Sequence, residues 1–325
     1  MSVTARIFGF ALAVVSLAAV PAHRALAQDF PNRPIRMILP TSPGAGSDLI
    51  GRVIANQLSG LLGQPIVPDN RPGAGGIIGV NAVRTAAPDG YTIAFSNASQ
   101  SVHSPLLAET LPFDPVKDIE TLAIVYKVLI GFVAHPAFPP KNMKEFIEYA
   151  KANPGKVNYA STGQGTLGHL WPEMLKQRAG IQATPIHYKG AGPAIQSVIA
   201  GETHVVISET FAFVGRESQV KILAQLGDQR SAKLPNVETV REAGYPELTA
   251  GFWFGFLGPK GMPPAIQRRL NADINRAMAT PEVTNRITSA GGELVTNDLA
   301  QSAAIMAAEV KTWAPIIREL GLKVQ

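Results

Sequence analysis

The chain has no cysteine in its 325 residues. That excludes structural disulfides, thiolate metal sites and a lipidated N-terminal cysteine. Charge is also sparse: charged residues make up 16% of the chain, the formal net charge is +5, and no dense run of lysine or arginine occurs. Nucleic-acid binding therefore has no electrostatic footprint. The six histidines are scattered; His169 and Glu173 stand four apart, but two residues do not make a metal site. There is no G-x-S-x-G and no Walker A sequence. No metal, no cofactor and no nucleic-acid partner are expected, and beyond the N-terminus no apolar stretch is a plausible membrane span.

What is present is an ordinary globular composition, 46% hydrophobic, with 30 glycines and 26 prolines concentrated at loops between apolar runs. Loops of that kind carry function on a rigid scaffold. The N-terminus has the pattern of a secretory signal: Arg6, the uncharged stretch Ile7 to Val20, then Ala25-Leu26-Ala27 as an A-x-A cleavage site. Residues 1–27 are expected to be removed after Ala27, so that the mature chain starts at Gln28. Their loss takes away Arg6 and Arg24 and no acid, which leaves a surplus of only three bases.

Apolar β-type runs alternate with helical patterns, the mark of an α/β fold. Strands are expected at Ile35–Leu39, Pro65–Pro68, Tyr91–Phe95, Val157–Ala160, around Ile186–Tyr188 and at His204–Ile207. Helices are expected from Asp48 to about Leu62, with Leu49, Val53, Ile54, Leu58 and Leu61 on one face, and at about Gly79–Ala86, Lys141–Ala152, after Thr166 to Leu175, Ala194–Ala200, Pro264–Ala279 and Ala300–Leu320. Two long apolar runs, Leu122–Ala134 and Gly251–Leu257, divide the chain. They imply two lobes, residues 28–127 with 252–325 and residues 128–251, joined by two hinge strands around a cleft.

Two strand-to-helix turns are rich in Gly, Ser and Thr: Pro43 to Asp48 and Ser161 to Thr166. A helix N-terminus offers unpaired N–H groups and a partial positive charge, and glycine lets a ligand approach the backbone. Such a turn seats an anion without Arg or Lys. Three or four hydrogen bonds to a charged group supply roughly 6–9 kcal/mol gross, and micromolar affinity needs about 8 kcal/mol. The Gly73–Gly76 loop is a third, supporting element. Either turn could also be a plain tight turn, with Asp48 serving as a helix N-cap. Gly163-Gln164-Gly165-Thr166-Leu167-Gly168 matches the dinucleotide fingerprint, but the acid expected about 20 residues later is missing; His187, Tyr188 and Lys189 stand there instead. His169 is better suited to capping or packing than to ligand contact, and Trp253 with Phe252, Phe254 and Phe256 better suits a hinge-strand core.

These segments, in this order, resemble the Bug (Bordetella uptake gene) family, the substrate-binding components of tripartite tricarboxylate transporters. The resemblance rests on Pro31-Asn32-Arg33-Pro34-Ile35, Pro43-Gly44-Ala45-Gly46-Ser47-Asp48, Asn70-Arg71-Pro72-Gly73-Ala74-Gly75-Gly76 and Ala87-Pro88-Asp89-Gly90-Tyr91-Thr92. It continues through Asn153-Pro154-Gly155-Lys156, Gly163, Gly165, His169-Leu170, Tyr188-Lys189-Gly190, Leu234-Pro235-Asn236-Val237 and Glu242-Ala243-Gly244. It implies a two-lobed periplasmic binding protein of type II, not an enzyme. It further implies a small carboxylate-bearing molecule between the lobes, an organic acid, an amino acid or an aromatic carboxylate, and delivery to the permease subunits of a membrane transporter. The protein is expected to be a monomer. On this chain the ligand-binding residues are expected to be Thr41, Ser42, Gly44, Ala45, Gly46, Ser47, Asp48 and Ser96 from the first lobe, and Ser161, Thr162, Gly163, Gly165, Thr166, His169 and Ser208 from the second.

The chain departs from the family at three places. Thr41 stands where an aromatic residue is usual, and His204 and Ser208 where an acid is common. Loss of a carboxylate near the cleft is expected to favour more negative ligands. Two other functions remain open on sequence alone: a subunit that signals ligand occupancy to a membrane receptor, and a dinucleotide-binding enzyme.

Overall fold

The computed structural model describes residues 30–110, 112–213, 217–289 and 291–321. The expected signal peptide, residues 1–27, lies outside them. Two mixed sheets form the two lobes. The first has the order β2-β1-β3-β10-β4-β11 and the second β7-β6-β8-β5-β9. In the first, β1 (Ile35–Leu39), β2 (Ile66–Asn70) and β3 (Thr92–Asn97) are parallel. In the second, β6 (Val157–Ser161), β7 (Ala183–His187) and β8 (Val205–Glu209) repeat that arrangement. In each sheet the strand beside the parallel trio runs antiparallel: β10 (Phe252–Pro259) beside β3, and β5 (Ile130–Ala134) beside β8.

The run expected as one apolar stretch, Leu122–Ala134, is therefore two strands. β4 (Ile119–Val128) belongs to the first sheet and β5 to the second, so the chain changes sheets at Leu129. It returns between β9 (Lys221–Gln225) and β10. Each antiparallel strand is thus delivered by a segment arriving from the other lobe.

Parallel strands need crossover helices. These are α1 (Gly46–Leu62) and α2 (Ile77–Arg84) in the first lobe, and α5 (Leu167–Ala179) and α6 (Ala191–Ile199) in the second. The buried face of α1 is Ile50, Ile54, Leu58 and Leu62, turned one residue from the expected face, and Leu49 is left 43% exposed. Gly51 explains the turn. A Cβ there would lie 2.9 Å from Leu39 and 3.1 Å from Phe95, so glycine has to sit where the helix meets the sheet.

Between β3 and β4 the chain forms a short π-helix, Ser99–His103, continued by α3 (Ser104–Leu107). The helix α4 (Met143–Ala152) flanks the second sheet. α7 (Pro264–Met278), α8 (Pro281–Ser289), the strand β11 (Gly292–Leu294) and α9 (Leu299–Leu320) return to the first lobe. The π-helix, α3, α8, β9 and β11 were not expected. The helical pieces and β11 are shorter than the windows over which hydrophobic periodicity is read; β9, as long as β1, was missed although its length allows a reading. α9 packs on β4 and reaches α5, where Glu319 accepts from Arg178 at 2.9 Å and from Gln177 at 3.1 Å.

Candidate functional site

The carboxyl ends of the parallel strands in both lobes open onto one cleft of about 740 Å³. Ligands of open α/β sheets sit at that end, where successive crossovers diverge to opposite sides. The first lobe contributes Thr41, Ser42, Ala45, Gly46 and Ser47, the glycine loop with Gly73, Gly75 and Gly76, and Asn97, Ser99 and Gln100. The second contributes Thr162, Gly163, Gln164, Thr166, Tyr188, Lys189, Gly190 and Ser208. Tyr126, Val128, Ile130, Ile207, Phe252 and Phe254 give an apolar base beside the hinge.

Four helices start at this cleft: α1 after Ala45, α2 after Gly76, α5 after Thr166 and α6 after Gly190. At none of the four does the N-cap side chain bond the helix. Helices elsewhere do cap themselves. Asn142 accepts the Glu145 amide at the start of α4, and Asp298 with Gln301 forms a capping box on α9. At α7 the residue after the cap is Pro264, which has no N–H to satisfy. Uncapped amides around a cleft are donors held for something else.

The two glycine-rich turns are locked in the same way. Gly44 donates its amide to Asp48 Oδ2 at 2.8 Å, and Gly165 donates to His169 Nδ1 at 3.2 Å. In each case the glycine precedes the N-cap, and the acceptor is the third residue of the helix. Both glycines have positive φ, +81° and +80°. Asp48 is not the N-cap, because α1 begins two residues earlier than expected. Burial alone would raise its carboxyl, but hydrogen bonds from Arg52, Asn70 and Gly44 bring it below the ordinary value. His169 is buried, and that burial, with His187 facing its ring, lowers it to about 4.

Of the residues expected to surround a ligand, Thr41, Ser42, Ala45, Gly46, Ser47, Thr162, Gly163, Thr166 and Ser208 line the cleft. Gly44, Asp48, Gly165 and His169 are not among the lining residues and form the two clamps. Ser96 lies in the interior, where Ser101 Oγ is 2.9 Å away and Gln100 Oε1 3.1 Å away. Ser161 is fully buried and donates to the Gly163 carbonyl at 3.1 Å. All six were singled out because turn composition does not tell which amides are spent on the turn itself. His204 also turns away from the cleft: its Nδ1 accepts the Asn158 amide at 3.0 Å and its ring lies against Phe138.

Several cleft residues carried no sequence signal. The π-helix brings Ser99 and Gln100 to the wall. Gln100 fastens the first loop by donating to the Pro40 carbonyl at 2.7 Å. Ser99 Oγ accepts the Leu167 amide of α5 at 3.4 Å and so links the lobes. Tyr126 stacks on Phe254, centroids 4.6 Å apart. Glu209, the last residue of β8, is the acid that had been judged missing one residue earlier. It keeps part of its surface open to the cleft, while the surrounding protein withholds enough water to push its carboxyl up to about 7. The expectation of a more negative ligand loses its basis there.

Among the described residues no helix is long and apolar enough to cross a membrane, and no cluster of His, Cys, Asp or Glu could hold a metal ion. Residues 50–322 match the model of the tripartite tricarboxylate transporter family receptor. Protein BugT of Bordetella pertussis is 35% identical over 302 residues, 92% of this chain and 93% of that protein. MatC from Rhodopseudomonas palustris, solved with bound malate, is 29% identical with a TM-score of 0.79, covering 89% of this chain and 100% of the other. The R. palustris protein Rpa4515, solved with adipate, is 26% identical with a TM-score of 0.81, covering 91% and 99%. These are binding receptors and not enzymes, and the dinucleotide fingerprint at Gly163–Gly168 is a resemblance of turn chemistry alone. The chain belongs to the Bug family of periplasmic solute-binding proteins, the receptors of tripartite tricarboxylate transporters.

Proposed function

We propose that this receptor captures a small carboxylate-bearing molecule between its lobes and delivers it to the permease subunits of a tripartite transporter. The observation that carries this is the convergence of four helix N-termini, two per lobe and none capped by its own N-cap side chain, on one cleft. Each helix end offers amide donors and a partial positive charge to an anion. The malate in MatC and the adipate in Rpa4515 support a carboxylate ligand here.

Residues 28–128 with 252–325 form one lobe and 130–251 the other, one residue from the expected boundary, with Leu129 and the segment before Phe252 as hinges. A carboxylate bound by both lobes holds them together, so capture and closure are one event. Thr41, Ser42, Ala45, Gly46 and Ser47 contact it from one side, and Thr162, Gly163, Thr166 and Ser208 from the other. The chain is exported, cleaved after Ala27, and acts in the periplasm as a monomer.

Isothermal titration calorimetry against a panel of organic acids tests this. At least one mono- or dicarboxylate binds with micromolar or tighter affinity, and its primary amide, which has the same shape without the charge, does not. A folded protein that binds no carboxylate in the panel rules the proposal out.

A further inference from the structure

Among the described residues only two charged side chains line the cleft wall, Lys189 and Glu209. The rest of its anion-attracting character comes from backbone. Against that background a carboxylate in the wall is out of place. It repels the ligand class that the helix ends attract, and burial penalises it further.

Glu209 is also unpaired. It has no hydrogen-bond or ion-pair partner among the described residues. Its backbone is fixed in the ladder opposite Ile130 of β5. A second polar group of the base shares this condition. Tyr126 lines the same cleft, is 1% exposed, and its Oη is buried with no hydrogen-bond partner. After burial, the charge of Glu209 is the next cause holding the Tyr126 phenol well above its ordinary value, which places the two groups within electrostatic reach. The apolar residues of the base, Val128, Ile130, Ile207, Phe252 and Phe254, carry no donor side chain. An unpaired carboxylate beside them is costly unless an arriving group pairs with it.

We propose that the ligand carries a protonated nitrogen as well as a carboxylate, and that Glu209 is the seat of that nitrogen. This rests on the carboxylate-capture function proposed above and narrows its ligand class. The helix N-termini take the carboxylate. The ammonium, with up to three N–H donors, meets the Glu209 carboxylate in a charge-assisted hydrogen bond. A ligand with carboxylates at both ends would set a like charge against Glu209. Specificity then comes from the penalty on the wrong ligand as much as from the bond to the right one.

The test is calorimetry on matched probe pairs at pH 8: succinate with L-aspartate, glutarate with L-glutamate, and hexanoate with 6-aminohexanoate. In the pair that binds, the amino member is at least ten-fold tighter. Glu209→Gln, which keeps the shape and removes the charge, lowers that ratio at least ten-fold, chiefly by weakening the amino member. Lowering the pH from 8 to 5.5 on the wild-type protein should shrink the ratio without any mutation, as Glu209 takes up a proton.

Other titratable groups lie on the elements packed against β8: Tyr159 on β6, and His169, Glu173, Lys176 and Arg178 on α5. Lys189 and Tyr126 share the cleft. The pH effect belongs to Glu209 only if Glu209→Gln abolishes it. A wild-type protein that prefers the unaminated acid, or a ratio unchanged in Glu209→Gln, overturns the assignment while leaving carboxylate capture standing. Failure of all six probes together with every acid in the wider panel removes both.

Discussion

Gly165 donates its amide to Nδ1 of His169, so the ring must keep its proton on Nε2 and remain neutral for the bond to exist. The bond ties the turn before α5 to the helix's third residue. In the other lobe an aspartate does the same task for Gly44. The two clamps differ in one respect: a carboxylate can hold an amide down to low pH, whereas an imidazole loses its acceptor on protonation.

Protonating His169 should therefore destabilise the second lobe. Its folded value is about 4 against an ordinary 6.5. With the folded value depressed, the contribution is complete above about pH 6.5 and is lost as pH falls toward 4. A shift of this size corresponds to at most about 3 kcal/mol. Thermal melts between pH 4 and 7 check it: the wild type loses stability on acidification, and His169→Gln flattens the curve. Parallel curves for the two proteins would contradict it.

Glu209 works in the opposite sense. Burial raises its folded value to about 7 from 4.5, so its contribution is complete below pH 4.5 and is lost as pH rises through 7. Glu209→Gln should raise the ligand-free melting temperature at pH 8 and leave it unchanged at pH 4. An unchanged melting temperature at pH 8 would show that the carboxylate is not strained in the empty cleft.

Two glycines of the first turn should separate folding from binding. Gly44 has φ +81° and open space around its missing Cβ, so Gly44→Val strains the backbone without filling the cleft. It should cost about 1–2 kcal/mol of stability. Gly46 has ordinary φ, lines the cleft and is the first residue of α1, also with open space. Gly46→Val should leave the melting temperature within about 2 °C, a change of about 1 kcal/mol or less, and weaken ligand binding at least ten-fold. Denaturation and calorimetry on both variants decide; equal losses of affinity with no loss of stability in Gly44→Val would refute the clamp.

The contact from Ser99 Oγ to the Leu167 amide links the lobes at a cleft wall. Behind it, His103 lies 3.4 Å from Ser99 Oγ and 2.9 Å from Glu309 on α9. Ser99→Ala should shift the free protein toward a more open form. Small-angle scattering reads this as a larger radius of gyration without ligand and an unchanged one with it.

The α/β alternation, the two lobes and the two loops that reach the cleft were legible because strands and long amphipathic helices write their period into the sequence. Thr41 and Thr162 were found from turn composition. Gly44, Gly165, Asp48 and His169 were found by the same signal and belong to the turns' own bonding, since composition marks the turn and not the destination of each amide. Tyr126 and Glu209 lie at strand ends that become neighbours of the cleft only when the chain changes sheets at Leu129. Nothing local marks them. The one clue was the family's acid near Ser208, displaced here by a single residue; at the end of β8 both Ser208 and Glu209 reach the cleft.

The most direct test of carboxylate capture on helix ends is the structure of the protein with the tightest-binding acid of the panel. The expected result places the carboxylate oxygens about 2.7–3.2 Å from backbone amides in the first turns of both α1 and α5, with the lobes closed over them. A carboxylate held by Lys189 alone, with those helix ends facing solvent, would contradict it.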